Sequence, residues 1–388
     1  MFLHLPTLQT QEQIRPTCKA QPAVVSKLKH LCNIQNYPLW HFIGDKRSSW
    51  DWIWSNVKDL SFDSVLDLFG GSGVMSHAFR CHDKIVHYNE ILSFLHICAE
   101  GLLSNPNSIL ETPDVQWLWE TEPKTEERLV QEHYSNLYFF PDEAEWIDRV
   151  ASNLWAWDVS PSVRGQAFFA LTQTCLRKSP FNSFGGSYLK LRLKPRTEEQ
   201  SWDKPLPEVF KENIRKVQRY LTELNTLQLP SVTLTRYPAA STSPALFLDP
   251  ELVYLDPPFL AGGKKSRRFG HYVNQYHVLE ALAQYHTFEE WIDPLSPLHK
   301  PKTCYPPYEF IEPWLNPYKA TSELGKVLEA FKDRTVVLSY RSDSHVEGGK
   351  IREVLESTFT RVEQFQRPHV YNITTKQARY DDVLFVGR

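Results

Sequence analysis

Residues 64–73 read Ser-Val-Leu-Asp-Leu-Phe-Gly-Gly-Ser-Gly, and this stretch decides the fold. The six residues before the glycines predict a buried strand, and the glycine cluster predicts a tight turn into a helix that runs to about Phe79. Residues 84–88 predict a second strand and residues 91–103 a second helix. This order of elements is typical of the start of a parallel, doubly wound α/β sheet.

The same alternation returns in the second half of the chain. Residues 252–255 predict a buried strand that runs into Asp256-Pro257-Pro258-Phe259. We expect later helices at 322–331 and 349–356, and strands at 335–339, 361–365 and 383–386. The chain therefore divides into an N-terminal extension (1–36), a Rossmann-like α/β domain (37–103 and 238–388) and an inserted, largely helical segment (104–237).

Composition narrows the class of protein. Of 388 residues, 41% are hydrophobic and 23% are charged, which is typical of a globular chain with a sizeable core, and the net charge of -3 excludes a globally basic nucleic-acid binder. We expect no signal peptide and no membrane span, hence a cytoplasmic protein. The six cysteines are scattered without a C-x-x-C pair, which predicts reduced thiols and neither a disulfide framework nor a metal site.

The small net charge hides opposite local charges. Residues 111–148 carry a net charge of -9, whereas residues 176–197 carry +6. A second basic run follows the Asp-Pro-Pro-Phe tetrapeptide. A solvated surface would explain either run, but both are candidates for contact with nucleic-acid phosphates. Their cationic residues are Lys190, Arg192, Lys194 and Arg196 in the first run, and Lys264, Lys265, Arg267 and Arg268 in the second.

The glycine turn is a candidate cofactor site. Glycines let the backbone approach a ligand closely, and a helix N-terminus offers free N–H groups. The nicotinamide dinucleotide fingerprint does not fit, because Ser76 stands where its third glycine would be. Glu90, about 20 residues beyond the turn, would accept hydrogen bonds from ribose hydroxyls. A purely structural turn is the alternative.

The tetrapeptide Asp256-Pro257-Pro258-Phe259 is a candidate catalytic motif. Two prolines after a strand fix a rigid, extended turn. The Asp256 carboxylate and the Pro257 carbonyl would accept the hydrogens of an amine on an aromatic base, while Phe259 stacks on that base. A base inside a duplex would have to be flipped out to reach them. Methylation at carbon 5 of cytosine needs a cysteine nucleophile, usually after a proline, and none of the six cysteines follows one.

Together these motifs resemble the Dam-like, class I DNA adenine N6-methyltransferases, over about residues 42–386. The resemblance implies S-adenosylmethionine as the cofactor, no metal, and catalysis by Asp256, Pro257, Pro258 and Phe259. Phe259 stands where tyrosine is commoner in that family. The phenylalanine ring can still stack on a base, but it lacks the tyrosine hydroxyl. The cofactor-binding residues that the resemblance implies are Phe42, Ile43, Gly44, Lys46, Asp67, Leu68, Phe69, Gly70, Gly71, Ser72, Gly73, Asn89 and Glu90.

The resemblance also implies a function. The expected enzyme methylates the N6 amine of a flipped-out adenine in double-stranded DNA, with residues 104–237 reading the target sequence. A bacterial, archaeal or phage restriction-modification or regulatory system is the expected setting, with a restriction endonuclease as a candidate partner. Two alternatives stay open: another exocyclic amine (cytosine N4 or a base in RNA), or an inactive member of the fold that binds DNA or a partner. The recognition sequence and the oligomeric state stay undetermined.

Overall fold

One seven-stranded sheet organises the protein. The computed structural model describes residues 32–38, 44–105, 107–178, 182–185, 189, 202–259, 272–373 and 376–388. The strand order is β3-β2-β1-β4-β5-β7-β6, with the first five strands parallel and β7 antiparallel to both neighbours. This order confirms the predicted Rossmann-like sheet. The strands are β1 (Ser64–Asp67), β2 (Ile85–Asn89), β3 (Val232–Thr235), β4 (Leu252–Leu255), β5 (Thr335–Arg341), β6 (Val362–Ile373) and β7 (Lys376–Gly387).

Helices cover both faces of this sheet. None of them, in the part of the chain that the structure describes, is long and apolar enough to cross a membrane. In chain order they are α1 (Trp50–Val57), α2 (Val74–Cys81), α3 (Ser93–Leu102), α4 (Thr112–Val115), α5 (Trp117–Glu120), α6 (Leu129–His133), α7 (Pro141–Ala156), α8 (Pro161–Arg177), α9 (Leu206–Thr226), α10 (Tyr272–Ala283), α11 (Pro306–Leu315), α12 (Ala320–Ala330) and α13 (Gly348–Thr358).

Alternating strand residues separate the core into two layers, because successive side chains point to opposite faces of a sheet. Val65 and Tyr254 join the layer that packs against α1, α2 and α3. Leu66 and Val253 join the layer under α12 and α13. Both faces are therefore buried, which explains why β1 and β4 read as continuous apolar runs.

The helices of residues 104–237 share the first of these core layers instead of forming a core of their own. Gly101 of α3 and Gly165 of α8 meet backbone to backbone: a Cβ added at Gly101 would lie 2.3 Å from the Gly165 carbonyl carbon. Strand β3 also lies within this range and pairs with β2. The predicted insertion therefore contributes a strand to the sheet, and its role in sequence recognition stays a prediction.

Two sequence expectations need correction. The closing strands are longer than the predicted 361–365 and 383–386, since β6 and β7 form a hairpin with twelve residues in each strand. Cys32 and Cys81 are joined by a disulfide, although reduced thiols were expected. Residues 32–38 pack on α2, which brings together two cysteines 49 positions apart. His77 lies beside the pair, with its Nε2 3.4 Å from the Cys81 sulfur.

Candidate active site

The glycine turn is a tight passage of backbone at the carboxyl edge of the sheet. Gly71 and Gly73 have φ values of 50° and 79°, in the left-handed region that favours glycine. Gly70 lies against Tyr88, and a Cβ there would come within 2.2 Å of the ring. Gly73 forms the N-cap of α2. The glycines are thus required by the turn itself, which leads the chain from β1 into α2.

Glu90 braces this turn from the end of β2. One of its carboxylate oxygens accepts a hydrogen bond from the Gly71 N–H (3.0 Å), and the other accepts one from the Leu92 N–H (2.9 Å). The neighbouring Asn89 amide donates to the Leu68 and Tyr237 carbonyls (3.1 and 2.9 Å) and accepts from the Tyr237 N–H (2.8 Å). Asn89 therefore holds the ends of β1 and β3 in register.

Asp67 lies beneath the turn and is buried. Its carboxylate accepts a hydrogen bond from the Ser76 hydroxyl at 2.8 Å. Burial raises the pKa of Asp67 to about 7, and the nearby Asp256 and Glu90 carboxylates act in the same direction. Burial also raises the pKa of Glu90 to about 7, against the effect of its backbone hydrogen bonds. Both groups are therefore placed to change protonation near neutral pH.

Asp256 ends β4 and forms an ion pair with Lys46. The Lys46 Nζ lies 2.8 Å from one Asp256 oxygen, and the two side chains are 17% and 23% exposed. Burial raises the pKa of Asp256, whereas the Lys46 ammonium lowers it. Arg47 anchors the same segment by donating to the Ile34 and Tyr37 carbonyls (2.7 and 2.9 Å). Lys46 is thus held beside a carboxylate that it helps to ionise.

The rest of the tetrapeptide forms a tight, rigid turn. The Phe259 N–H donates to the Pro257 carbonyl at 2.6 Å. The Phe259 ring lies 6.2 Å from Trp314, 6.3 Å from Tyr340 and 5.8 Å from His345, between ring centroids. These contacts fix the ring beside the carboxyl end of β4.

A single cavity joins the glycine turn to Asp256. It is open to solvent, and its empty space amounts to about 910 Å³ when the solvent at its mouth is counted. Four carboxylates line it, and Lys46 is the one lysine or arginine among the described lining residues. The carboxylates belong to Asp45, Asp67, Glu90 and Asp256. The buried Asp45 Oδ2 has no hydrogen-bond partner among the described residues. The cavity therefore fits a cofactor that carries positive charge and hydroxyl donors.

The structure brings most of the predicted site residues to this cavity. Its lining includes Gly44, Lys46, Asp67, Leu68, Phe69, Gly70, Gly71, Ser72, Asn89, Glu90, Asp256 and Pro258. Gly73, Pro257 and Phe259 lie next to it without lining it. The remaining predicted residues fall outside the described part of the chain: Phe42, Ile43, Lys190, Arg192, Lys194, Arg196, Lys264, Lys265, Arg267 and Arg268.

Sequence reasoning missed several lining residues. Two of them could have been predicted from their position. Asp45 adjoins a predicted motif residue, and Tyr237 follows β3 at the carboxyl edge of the sheet. Trp314 could not have been predicted, because no sequence motif marks its helix, α11. The residues that line the cavity without having been predicted are Asp45, Val74, Met75, Ile91, Leu92, Leu95, Tyr237, Pro238, Ala239, Tyr254, Tyr272, Phe310, Ile311 and Trp314.

Comparison with known proteins agrees with this geometry. The chain is 23% identical over 370 residues to the Type II methyltransferase M2.HphI of Haemophilus parahaemolyticus. This alignment covers 91% of the chain and 98% of M2.HphI. The chain is also 23% identical over 340 residues to the Type II methyltransferase M.NlaIII of Neisseria lactamica. That alignment covers 81% of the chain and 87% of M.NlaIII. The family model of the D12 class N6 adenine-specific DNA methyltransferases matches residues 42–291, from the Lys46 segment past the Asp256–Phe259 tetrapeptide. The chain therefore belongs to the D12 class of N6 adenine-specific DNA methyltransferases.

Proposed function

We propose that the protein transfers the methyl group of S-adenosylmethionine to the N6 amine of an adenine flipped out of double-stranded DNA. The observation that carries this proposal is the Lys46–Asp256 contact. A nitrogen donor lies 2.8 Å from the Asp256 carboxylate, in the same cavity as the glycine turn. The site is therefore built to receive an N–H donor beside a cofactor pocket.

The cavity lining supports this choice of cofactor. Bound there, S-adenosylmethionine supplies a methyl group attached to a positively charged sulfur. Glu90 would accept hydrogen bonds from its ribose hydroxyls, as acidic residues at this strand end do for other nucleotides. The Asp45 oxygen that has no hydrogen-bond partner in the described part of the chain would accept from the ammonium group of the cofactor. The acidic lining as a whole favours a cationic ligand.

In this proposal the tetrapeptide positions and activates the amine. The Asp256 carboxylate and the Pro257 carbonyl accept the two N6 hydrogens, which localises the nitrogen lone pair for attack on the methyl carbon. The Lys46 ammonium leaves Asp256 Oδ1 so that the amine takes its place. N6 would form one new bond to the methyl carbon as the bond from that carbon to the positively charged sulfur breaks, with its electron pair left on sulfur. N6 would give up one proton, which Asp256 would accept. The preorganised acceptors stabilise the charge that develops on nitrogen.

We assign target reading to residues 104–237 and phosphate contact to the two basic runs predicted above. Site-specific recognition needs side chains that reach base edges, in addition to phosphate contacts. Because the relatives M2.HphI and M.NlaIII carry Type II names, we propose a restriction-modification setting with a cognate restriction endonuclease as the biological partner.

Isotope transfer tests the function. The purified protein is incubated with methyl-labelled S-adenosylmethionine and genomic DNA from an unmodified host, and nucleosides from the digest are identified by mass spectrometry. We expect label in N6-methyl-2′-deoxyadenosine from DNA, and none in nucleosides from RNA. Label in N4-methylcytosine, or label accepted by RNA and not by DNA, would overturn the proposal.

A further inference from the structure

Two cysteines and a histidine form a cluster beside the active-site cavity without lining it. His77 and Cys81 are four residues apart on α2, so their side chains project from the same face of the helix. Cys32 reaches that face from the segment 32–38, which packs on α2. We call these three residues the sulfur cluster. The proposed methyl transfer uses none of them.

The donor atoms of the sulfur cluster are spaced for a common ligand. The two sulfurs and the His77 Nε2 all lie within 4.8 Å of one another, and this Nε2 lies 3.4 Å from the Cys81 sulfur. A sulfur and a nitrogen bound to one tetrahedral Zn²⁺ lie roughly 3.5 Å apart, because Zn–S and Zn–N bonds are about 2.3 and 2.0 Å long. The Asn33 carbonyl oxygen, 3.4 Å from the same Nε2, is a further donor atom beside the three.

Tyr220 holds the opposite side of the buried His77 ring. Its hydroxyl lies 3.0 Å from the His77 Nδ1 and 3.2 Å from the Leu102 carbonyl oxygen. When this hydroxyl donates its hydrogen to the carbonyl, it accepts a hydrogen bond from an Nδ1–H, which leaves the Nε2 lone pair facing the sulfurs. Histidines that bind metals are oriented by such a second partner on the ring. The surroundings of His77 therefore suit a metal ligand.

The oxidation state of the two sulfurs decides what the sulfur cluster can bind. The structure joins Cys32 and Cys81 as a disulfide. Two molecules of a small thiol such as glutathione would reduce this bond, which yields two cysteine thiols and one molecule of oxidised glutathione. Thiolates and a neutral imidazole are preferred ligands of Zn²⁺, and a cation that binds them displaces the two thiol protons. The disulfide and a metal ion are thus alternative links between the same two cysteines.

The segment 32–38 supports the cofactor cavity on two sides. The Tyr37 hydroxyl donates a hydrogen bond to the Ser72 carbonyl in the glycine turn at 2.7 Å. Arg47, which follows Lys46, donates to the Tyr37 carbonyl at 2.9 Å and to the Ile34 carbonyl at 2.7 Å. Any link that fastens this segment to α2 therefore also holds the glycine turn and the Lys46 segment in place.

We propose that Cys32, His77 and Cys81 of the reduced protein bind one Zn²⁺ ion, which clamps the segment 32–38 to α2. The ion has a structural role in this proposal and takes no part in methyl transfer. The site requires neither DNA nor S-adenosylmethionine, so it stands or falls separately from the proposed function.

Cobalt substitution tests the proposal, because Co²⁺ occupies zinc sites and absorbs light. The full-length protein is reduced with a phosphine, which adds no competing thiol, and is titrated with Co²⁺ and then with Zn²⁺. We expect sulfur-to-cobalt charge-transfer bands that saturate at one Co²⁺ per chain and that Zn²⁺ abolishes. The oxidised protein, with its disulfide intact, should show no such bands. Reduced wild type without the bands would overturn the proposal, as would equal bands from the oxidised protein.

Single substitutions distinguish the sulfur cluster from the other thiols. Cys32→Ser and Cys81→Ser should each lower the Zn²⁺ affinity of the reduced protein by more than about 100-fold, whereas Tyr220→Phe, which removes only the outer partner, should lower it about 10–100-fold. Cys304→Ser is the control, because Cys304 is an exposed, free cysteine outside the cluster, and this variant should keep the wild-type affinity. Bands that persist in Cys81→Ser, or that vanish in Cys304→Ser, would assign the ion to other thiols and overturn the proposal.

Thermal unfolding tests the clamp. Zn²⁺ should raise the melting temperature of the reduced wild type, because the folded state binds the ion, and it should leave that of reduced Cys32→Ser unchanged. Cys32 is only half-buried, so Cys32→Ser serves if Cys81→Ser fails to fold. A reduced wild type whose melting temperature does not respond to Zn²⁺ would contradict the clamp.

Discussion

Asp67 and Asp256 end two neighbouring parallel strands, yet their surroundings differ. Asp67 is 1% exposed, lies beneath the glycine turn and accepts a hydrogen bond from Ser76. The Asp256 side chain is 23% exposed and pairs with the end of a flexible lysine. The first carboxyl belongs to the fixed wall of the cofactor cavity. In the proposed function another donor replaces the partner of the second, so the same sheet edge would supply both a static and an exchangeable acceptor.

The largest expected effect comes from removing the exchangeable acceptor. Asp256→Ala should lower kcat by about 10³-fold or more, because the amine loses the group that orients it. Cofactor and DNA affinities should stay within about threefold of wild type, since the glycine turn is untouched. Single-turnover methylation with both ligands saturating measures the effect.

A matched aspartate on the surface provides the control for that experiment. Asp249→Asn removes an exposed partner of Arg334 and keeps a residue that tolerates the left-handed backbone at φ 60°. Its kcat should equal that of the wild type. An Asp256 variant that keeps more than about a tenth of wild-type kcat would show that Asp256 is not the acceptor.

Substitutions in the fixed wall of the cavity should act by disrupting its packing. Gly70→Ala places a methyl group 2.2 Å from the Tyr88 ring, and we expect a loss of about 1–3 kcal/mol in the free energy of unfolding together with weaker cofactor binding. Urea unfolding and calorimetry measure the two effects. Gly349→Ala is the control, because no atom lies within 4 Å of its added Cβ. Equal stability of both variants would show that the turn is not tightly packed.

The ion pair should set the pH dependence of the reaction. Lys46→Gln removes the ammonium that lowers the pKa of Asp256, so that pKa rises further. Activity needs the ionised carboxylate and rises with pH through that pKa, so the rising limb should move to higher pH and kcat near pH 7 should fall several-fold.

Lys46→Arg keeps the charge and should restore most of the profile. An unchanged profile for Lys46→Gln, or faster turnover near pH 7, would show that the lysine only obstructs the site. Either outcome would weaken the contrast between the two aspartates.

The smallest effect concerns Glu90, which braces the fixed wall. Its pKa of about 7 means that raising the pH from 6 to 8 converts it from mostly protonated to mostly ionised. The ionised form accepts hydrogen bonds from ligand hydroxyls better, so cofactor affinity should rise about fivefold over this interval. Glu90→Gln should flatten the dependence in calorimetric titrations at pH 6, 7 and 8. A variant that keeps the wild-type slope would assign the titration to another group, such as Asp67.

The sequence predicts the apolar strands well and the polar ones poorly. Strands β1 and β4 are buried on both faces, so their apolar runs mark them, whereas the four residues of β3 are only partly buried and carry no such signal. The outer halves of β6 and β7 lack a sustained apolar pattern and are recognisable from backbone pairing. Hydrophobic periodicity in a sequence indicates which residues are buried. It cannot identify a strand that is defined only by its backbone hydrogen bonds.

The candidate site shows the same division. The glycine turn and the tetrapeptide were predicted because their backbone demands specific residues, glycine at positive φ and two prolines after a strand. The Lys46–Asp256 pair joins residues about 200 positions apart, and only the folded sheet brings them together. Trp314 and Tyr237 line the cavity through ordinary helix and loop geometry, which no local motif encodes.

If residues 104–237 read the target, as proposed above, the backbone contact between Gly101 and Gly165 limits how target specificity can change. Helix α8 packs against α3 through backbone atoms at these two glycines, and any side chain at either position would force the two helices apart. The inserted segment therefore cannot be replaced as a whole by an unrelated one. Relatives that differ in target sequence should therefore keep this crossing. Divergence of specificity is then confined to the surface connections between the helices, where residues can be replaced without disturbing the shared core.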